Sequence, residues 1–270
     1  MKKFNLPQSN QLNEIHFKLI RHLKNTEKGS TPQLLKTLGQ TYKTLLETSN
    51  TLRDLGLALS VTKSTYVCNN SWLSIGHITE HLPSNTPMPP CYLFNTTPSS
   101  NDTMISLAKT QKQRIALCLT EHQSAGRGQF NNTWISPMGC NLYFTLLHPD
   151  NSPHQNETLS EQLAHWTSEA IQHYGIHENF TIKPPNDILF QGKKLAGILT
   201  ESLVQGTQSS LIIGIGVNLN MSLINTDNVN QAINQPWTDL ASIACEPIDR
   251  NRFCACLLST LLKHLAYKRN

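Results

Sequence analysis

The sequence predicts an α+β protein: an N-terminal winged helix-turn-helix followed by a mixed, mostly antiparallel sheet with helices. Three observations carry this. Residues 12–56 hold three short apolar repeats at helical spacing, followed by an alternating stretch rich in Val, Thr and Tyr. Residues 83–98, PSNTPMPPCYLFNTTP, hold five prolines and no helical period, so they read as a linker. From Tyr92 onward, buried-strand patterns outnumber helical ones. A chain of 270 residues exceeds one domain of usual size. The expected division is 1–82 for the winged helix, 83–98 for the linker and 99–270 for a second domain.

In LNEIHFKLIRHL, Leu12, Ile15, Leu19 and Leu23 share one helical face. STPQLLKTLG opens on a Ser/Thr cap with an early proline and closes on Gly39, the punctuation of a short helix. TYKTLLETSNTLRDLG sets Leu45, Ser49, Leu52 and Leu55 in register and stops at Gly56. LALSVTKSTYVCNNSWLS then alternates as a small β-ribbon turning at TKS and NNS. In a winged helix the third helix enters the major groove. Here it would offer Tyr42, Lys43, Thr44 and Thr48, beside Thr41 and Glu47, a set poor in cations for phosphate contact.

In the second part, RIALCLTEHQ, NLYFTLLH and SSLIIGIGVNLN read as strands. ETLSEQLAHWTSEAIQHYG reads as a helix that turns Leu163, Trp166, Ala170 and Tyr174 inward and ends before Gly175. DILFQGKKLAGILTESLV reads as two strands around a QG turn. NRFCACLLSTLLKHLAYKRN looks helical.

Composition narrows the function classes. The longest apolar run, LIIGIGV, is too short to span a bilayer, and no apolar run follows the basic start MKKFNLPQSN, so a soluble, unexported protein without a membrane partner is expected. Seven scattered cysteines without a C-x-x-C fit the reducing cytoplasm and no disulfide framework. His173 and His177 stand at helical spacing with Gly175 between them; metal sites need three or four convergent ligands, so no metal site is expected. Residues 1–80 hold ten Lys and Arg against five Asp and Glu, whereas residues 81–270 hold twelve against thirteen. The basic excess lies wholly in the first part, and an anionic partner belongs there.

The chemistry-bearing stretches lie in the second part. QSAGRGQFNNTW, residues 123–134, places Arg127 between Gly126 and Gly128. Glycines permit close backbone approach, and the planar guanidinium suits phosphate or carboxylate. No G-K-[ST] follows, so this is no P-loop. KPPNDILFQGKKLAGIL supplies Lys183, Asn186, Asp187, Lys193 and Lys194, with two prolines stiffening the corner before Asn186 and Asp187. Lys194 leads directly into the apolar Leu195, Ala196 and Gly197, a place where a lysine calls for an anionic partner.

Taken in order, SSN (99–101), QSAGRG (123–128), W-x-SP-x-G-x-NLY (134–143), KPPND (183–187), GKKLAGIL (192–199) and GIGVNLN (214–220) resemble the bacterial biotin protein ligases, biotin–[acetyl-CoA-carboxylase] ligases of the bifunctional type with a winged helix. The resemblance runs over roughly 92–260 and implies a catalytic domain of the class II aminoacyl-tRNA synthetase-like, biotin–lipoyl ligase fold. It implies that biotin and MgATP form biotinyl-5′-AMP, and that biotin then passes to a lysine of the biotin carboxyl carrier protein. It also implies catalytic roles for Arg127, Lys194 and Lys183. Ser99, Ser100, Asn101, Gln123, Gly126, Gly128, Gln129, Trp134 and Gly197 would bind biotin or its adenylate; Asn186, Asp187 and Asn218 would bind the nucleotide. Operator DNA and a second copy of the chain are the further partners it implies.

The sequence departs from the family pattern at Gln129, often arginine, and at Asn131, where glycine is expected and where asparagine would make the left-handed turn. SSN replaces S-T-N, and Pro184 stands where tryptophan is frequent. Most members continue into a small SH3-like barrel, for which the residues after 260 do not suffice. The alternative reading is a DNA-binding biotin sensor with weak or lost ligase activity. A lipoate or octanoyl transferase would carry R-R-x-x-G-G-G-A-V at the loop, which is absent.

Overall fold

The computed structural model describes residues 12–110, 115–149, 156–206, 208–224 and 232–265. The first part holds α1 (Glu14–Asn25), β1 (Lys28–Ser30), α2 (Thr31–Leu38), α3 (Tyr42–Asp54), β2 (Leu59–Val61) and β3 (Thr65–Cys68). Gly39 ends α2 in the left-handed region at φ 63, and the Thr41 hydroxyl caps α3 by accepting from Thr44 N–H. The ribbon gains a strand that local pattern did not predict, because β1 pairs with β3 in the order β1-β3-β2. On α1 the buried face is His16, Leu19, Ile20 and Leu23. It is rotated from the predicted one, with Ile15 only half-buried. Thr48 corrects the expected DNA-facing set. It is 3% exposed, and its hydroxyl donates to the Thr44 carbonyl, so it faces the core beside Leu45 and Leu52. Lys43 is exposed, whereas Tyr42 and Thr44 are half-buried.

The second part is built on a seven-stranded sheet of order β4-β5-β6-β10-β9-β8-β7. Its strands are β4 (Cys91–Phe94), β5 (Ala116–Thr120), β6 (Leu142–Pro149), β7 (Thr181–Lys183), β8 (Asp187–Phe190), β9 (Lys193–Gln205) and β10 (Gln208–Val217). Only β4 and β5 run parallel. Strand β4 lies inside the segment expected to be a linker. CYLF follows the last clustered proline, and at a sheet edge Pro90 needs no N–H while its carbonyl accepts from Leu117 N–H at 2.8 Å. The QG turn joins β8 to β9 with Gln191 and Gly192 both at positive φ, 50° and 77°, as a two-residue hairpin requires.

Period-two alternation assigns the two faces of the sheet. Leu117, Leu119, Phe144, Leu146, Ile198, Ile213 and Ile215 join a core with α6 (Asn156–Tyr174) and α8 (Arg250–His264). Within α6, Leu163, Ala170 and Tyr174 are buried and Trp166 is half-buried, as expected; the side chain of the anticipated cap Thr158 lies outside the described residues. Helix α4 (Ile75–His81) also packs on α8. On the other face Cys118, Leu147 and Ile212 meet Met104 of α5 (Ser100–Thr110), leaving the rest of that face to a cavity. The short α7 (Leu240–Ala244) follows.

The two parts are joined by direct contacts. Met138 sits fully buried in the first part's core, and its N–H donates to the Leu55 carbonyl at 2.6 Å. Asn70 donates to the carbonyls of Met138 and Gly139. Deeper still, Arg250 and Glu121 form an ion pair at 2.8 Å with both side chains 0% exposed. Arg250 also donates to the carbonyls of Asn141 and Ser71, and Glu121 accepts from Leu73 N–H.

Candidate active site

A cavity of about 720 Å³ opens on the sheet face left uncovered by α5. Its floor follows from register. Gly216 pairs with Gly197 on one side and Tyr143 on the other; Gly214 pairs with Leu199 and Thr145. The glycines are required by what lies on them. A Cβ at Gly216 would fall 2.6 Å from the Trp134 indole, one at Gly197 3.1 Å from it, and one at Gly214 2.3 Å from Asn101 Oδ1. Trp134 therefore lies flat across two strands, its Nε1 buried and without a hydrogen-bond partner among the described residues.

The polar wall comes from the start of α5 and the end of β5. Ser124 N–H donates to the Thr97 carbonyl and Ala125 N–H to that of Pro98, which brings SSN beside Gln123. Gln123 Oε1 accepts from Ser100 N–H at 2.8 Å and from its hydroxyl at 3.1 Å, while Gln123 Nε2 donates to Ser136 Oγ at 2.9 Å. Thr145 Oγ1 lies 2.8 Å from both Ser100 Oγ and Asn101 Oδ1. Ser99 is buried beside them.

The arginine loop is folded on itself. Trp134 N–H donates to the Gly126 carbonyl and Gly128 N–H to that of Asn132. Gly126 is needed for the loop's own packing, because a Cβ there would meet the Trp134 carbonyl at 2.4 Å. It is the one expected site residue outside the cavity lining. The left-handed turn falls on Phe130, φ 55, one residue before the predicted Asn131, and Phe130 stands 87% exposed at the rim. Gln129 also lines the cavity.

Arg127 and Lys194 line the same cavity, yet each is bound to carboxylates. Arg127 donates to Asp102 and Glu201, and these bonds hold its pKa above the ordinary value against the opposing effect of burial. Lys194 Nζ lies 2.8 Å from Asp187 and 5.4 Å from the Trp134 ring centroid. Its backbone is clamped on both sides, N–H to the Pro236 carbonyl and carbonyl from Thr238 N–H. Lys183 lines the rim and is exposed. Asn186 and Asn218 reach the cavity but spend their amides on backbone, on the carbonyls of Ile198 and of Thr238. The Pro184–Pro185 bond is cis.

Sequence reasoning missed Asp102, Thr145, Gly214, Gly216 and Glu201. Alternation from Gly197 through Leu199 to Glu201 was the available signal, since it puts a carboxylate on the glycine face. No group of three His, Cys, Asp or Glu side chains placed to hold a metal ion occurs among the described residues; His173 faces Glu169 and Thr260.

His122, between Glu121 and Gln123, is 2% exposed and bonded to Thr96 Oγ1 at 2.9 Å; burial pushes its pKa down to about 4. The unfolded chain takes up a proton near the ordinary 6.5 and the folded chain does not, so stability falls as pH drops from 6.5 towards 4. The loss is about 3 kcal/mol. Urea midpoints at pH 7 and 4.5 are expected to differ less in His122→Gln than in the unaltered protein; an equal difference would assign the acid loss elsewhere.

Residues 93–218 match the model of the biotin/lipoate A/B protein ligase family. The bifunctional ligase/repressor BirA of Escherichia coli is 30% identical over 254 residues, covering 92% of this chain and 76% of that protein. BirA of Bacillus subtilis is 34% identical over 155 residues, 56% of this chain and 46% of its own length, so the alignment spans about half of that relative. The solved biotin protein ligase from Aquifex aeolicus in complex with biotin and ATP superposes with a TM-score of 0.55 at 25% identity, covering 66% of this chain and 70% of that one. No helix among the described residues is long and apolar enough to cross a membrane. Motif order, a glycine-floored cavity and a relative matched over three quarters of its length agree: the chain belongs to the biotin protein ligase family.

Proposed function

We propose that this chain activates biotin with ATP and transfers it to a lysine of a carrier domain, that of the biotin carboxyl carrier protein of acetyl-CoA carboxylase. A biotin carboxylate oxygen attacks the α-phosphorus, the bond to pyrophosphate breaks, and biotinyl-5′-AMP forms. The carrier's neutral lysine amine then attacks the acyl carbon; AMP leaves with the bonding pair and the amine loses a proton. ATP enters as its magnesium complex, the metal arriving with the substrate.

The observation that carries this reading is one cavity flanked by a loop guanidinium and a strand ammonium over a glycine floor. Two anions must meet there, and preorganised cations lower the cost of the charge that develops. Arg127 and Lys194 serve the carboxylate and α-phosphate in this reading, with Lys183 at the rim. Ser99, Ser100, Asn101 and Gln123 bond the polar ring of biotin, and Asn186, Asp187 and Asn218 stand towards the nucleotide. Trp134 and the loop exclude water from the mixed anhydride. Incubation with biotin, MgATP and an apo carrier domain is expected to place biotin on the carrier lysine, read as a mass increase. An unlabelled carrier together with biotin-independent ATP turnover would sink the reading.

Operator binding is the second role, favoured by the three helices and three-stranded ribbon of the first part and by the likeness to a bifunctional ligase/repressor over 92% of the chain. Lys43 and Arg53 are exposed cations at the two ends of α3. A gel shift of the full chain that weakens steeply with salt supports it; salt-insensitive or absent retention removes it.

A further inference from the structure

The arginine loop is held by two acidic side chains that belong to none of its motifs. Three hydrogen bonds leave one nitrogen, Arg127 Nη2: to Asp102 Oδ1 at 2.6 Å and to the two Glu201 oxygens at 3.0 and 2.9 Å. Glu201 is rooted in β9 opposite Ile212. Its Oε2 also accepts from Asn101 Nδ2 at 2.7 Å, and Asn101 Oδ1 accepts from Thr145. No other cation lies within ion-pair distance of either carboxylate among the described residues. The guanidinium is thus tied to the sheet and to α5, while the loop itself is closed by backbone bonds, from Trp134 N–H to the Gly126 carbonyl, from Gly128 N–H to that of Asn132 and from Asn132 N–H to that of Gln129.

We infer that Asp102 and Glu201 are positioning residues for Arg127: they grip Nη2, fix the loop over the cavity and leave Nε and Nη1 to the anionic group of the ligand. An arginine stem that is 38% exposed on a glycine-flanked loop otherwise samples many rotamers, and ordering it at the moment of binding weakens affinity. Glu201 carries the larger share, because its side chain is 27% exposed against 52% for Asp102 and it makes two of the three bonds. The identity of the ligand's anion, a biotin carboxylate or an α-phosphate, rests on the ligase reading; the grip does not.

Trypsin cuts after an arginine whose side chain it can take up, so it reads the grip without any ligase step. In the full-length, ligand-free chain, D102N/E201Q is expected to be nicked after Arg127 roughly tenfold faster than the unaltered protein, with cuts after other Lys and Arg unchanged. Equal nicking rates overturn the inference. In biotin-dependent pyrophosphate exchange, E201A is expected to raise the KM for biotin roughly tenfold with a smaller change in kcat, and E201Q to recover part of the loss. Made in an R127A background, E201A is expected to add nothing. A loss that persists there assigns Glu201 to the sheet and overturns the positioning role. An unaltered protein without exchange would count against the ligase reading alone, because the trypsin rates still decide the grip.

Discussion

Exchanging Lys194 for alanine is expected to slow adenylate formation by about 10²- to 10³-fold, measured as biotin-dependent exchange of pyrophosphate into ATP. Three features are the ground for expecting the largest catalytic effect at Lys194. It stands second in β9 and lines the cavity, its side chain is only 17% exposed, and its backbone is bonded on both sides to the 236–238 segment. Asp187 at 2.8 Å and the Trp134 ring at 5.4 Å hold the ammonium in one place before any ligand arrives. A fixed charge in a partly desolvated site acts on developing negative charge without reorganising first. Lys183 and Lys193 are exposed, so water screens them and their removal is expected to cost far less. An exchange rate unchanged in Lys194→Ala, with the fold intact, would return Lys194 to the part of a hairpin lysine paired with Asp187.

The largest expected loss of stability follows from Glu121→Ala. Arg250 would be left charged at 0% exposure, and removing one partner of a buried pair destabilises by about 3–5 kcal/mol. For a chain of this size that lowers Tm by on the order of 10 °C. The contact between Arg250 Nη1 and Glu121 Oε2 is an ion pair rather than an aligned hydrogen bond, so its value lies in mutual charge compensation. Lys24 of α1 stands 3.8 Å from Glu121 and over the Trp72 ring, with burial lowering its pKa; it cannot replace the lost carboxylate. Glu121→Gln keeps an acceptor for Leu73 N–H but not the charge, and is expected to recover only a small part. A thermal melt within a degree of the unaltered protein would show that the pair is compensated from elsewhere. Because Glu121 follows β5, Ser71 lies in the connection and Arg250 begins α8, the same substitution is expected to loosen the junction of the two parts as well.

Short-range signals were legible wherever a few neighbouring residues decide the backbone. Gly39 with Thr31–Leu38, Thr41 with α3, Gln191–Gly192 with β8 and β9, and the apolar runs of β6 and β10 could be read because caps, turns and strand-forming composition act within a few neighbouring residues. The grouping of Arg127 with Lys194, distant in sequence, came from the resemblance carried by the ordered motifs, and both line the one cavity.

Tertiary structure alone decided what depends on residues distant in sequence. Lys28–Ser30 became a strand because β3 offered an edge, and Cys91–Phe94 because β5 did. Thr48 turned inward because α3 packs on the core through that side. Asp102 and Glu201, 99 positions apart in sequence, became partners of one guanidinium only when β9 and α5 were laid on the same face. Local propensity sets which conformations a segment can adopt at low cost; which partner it meets is settled by burial and pairing between segments, and no window of sequence contains both sides of that contact.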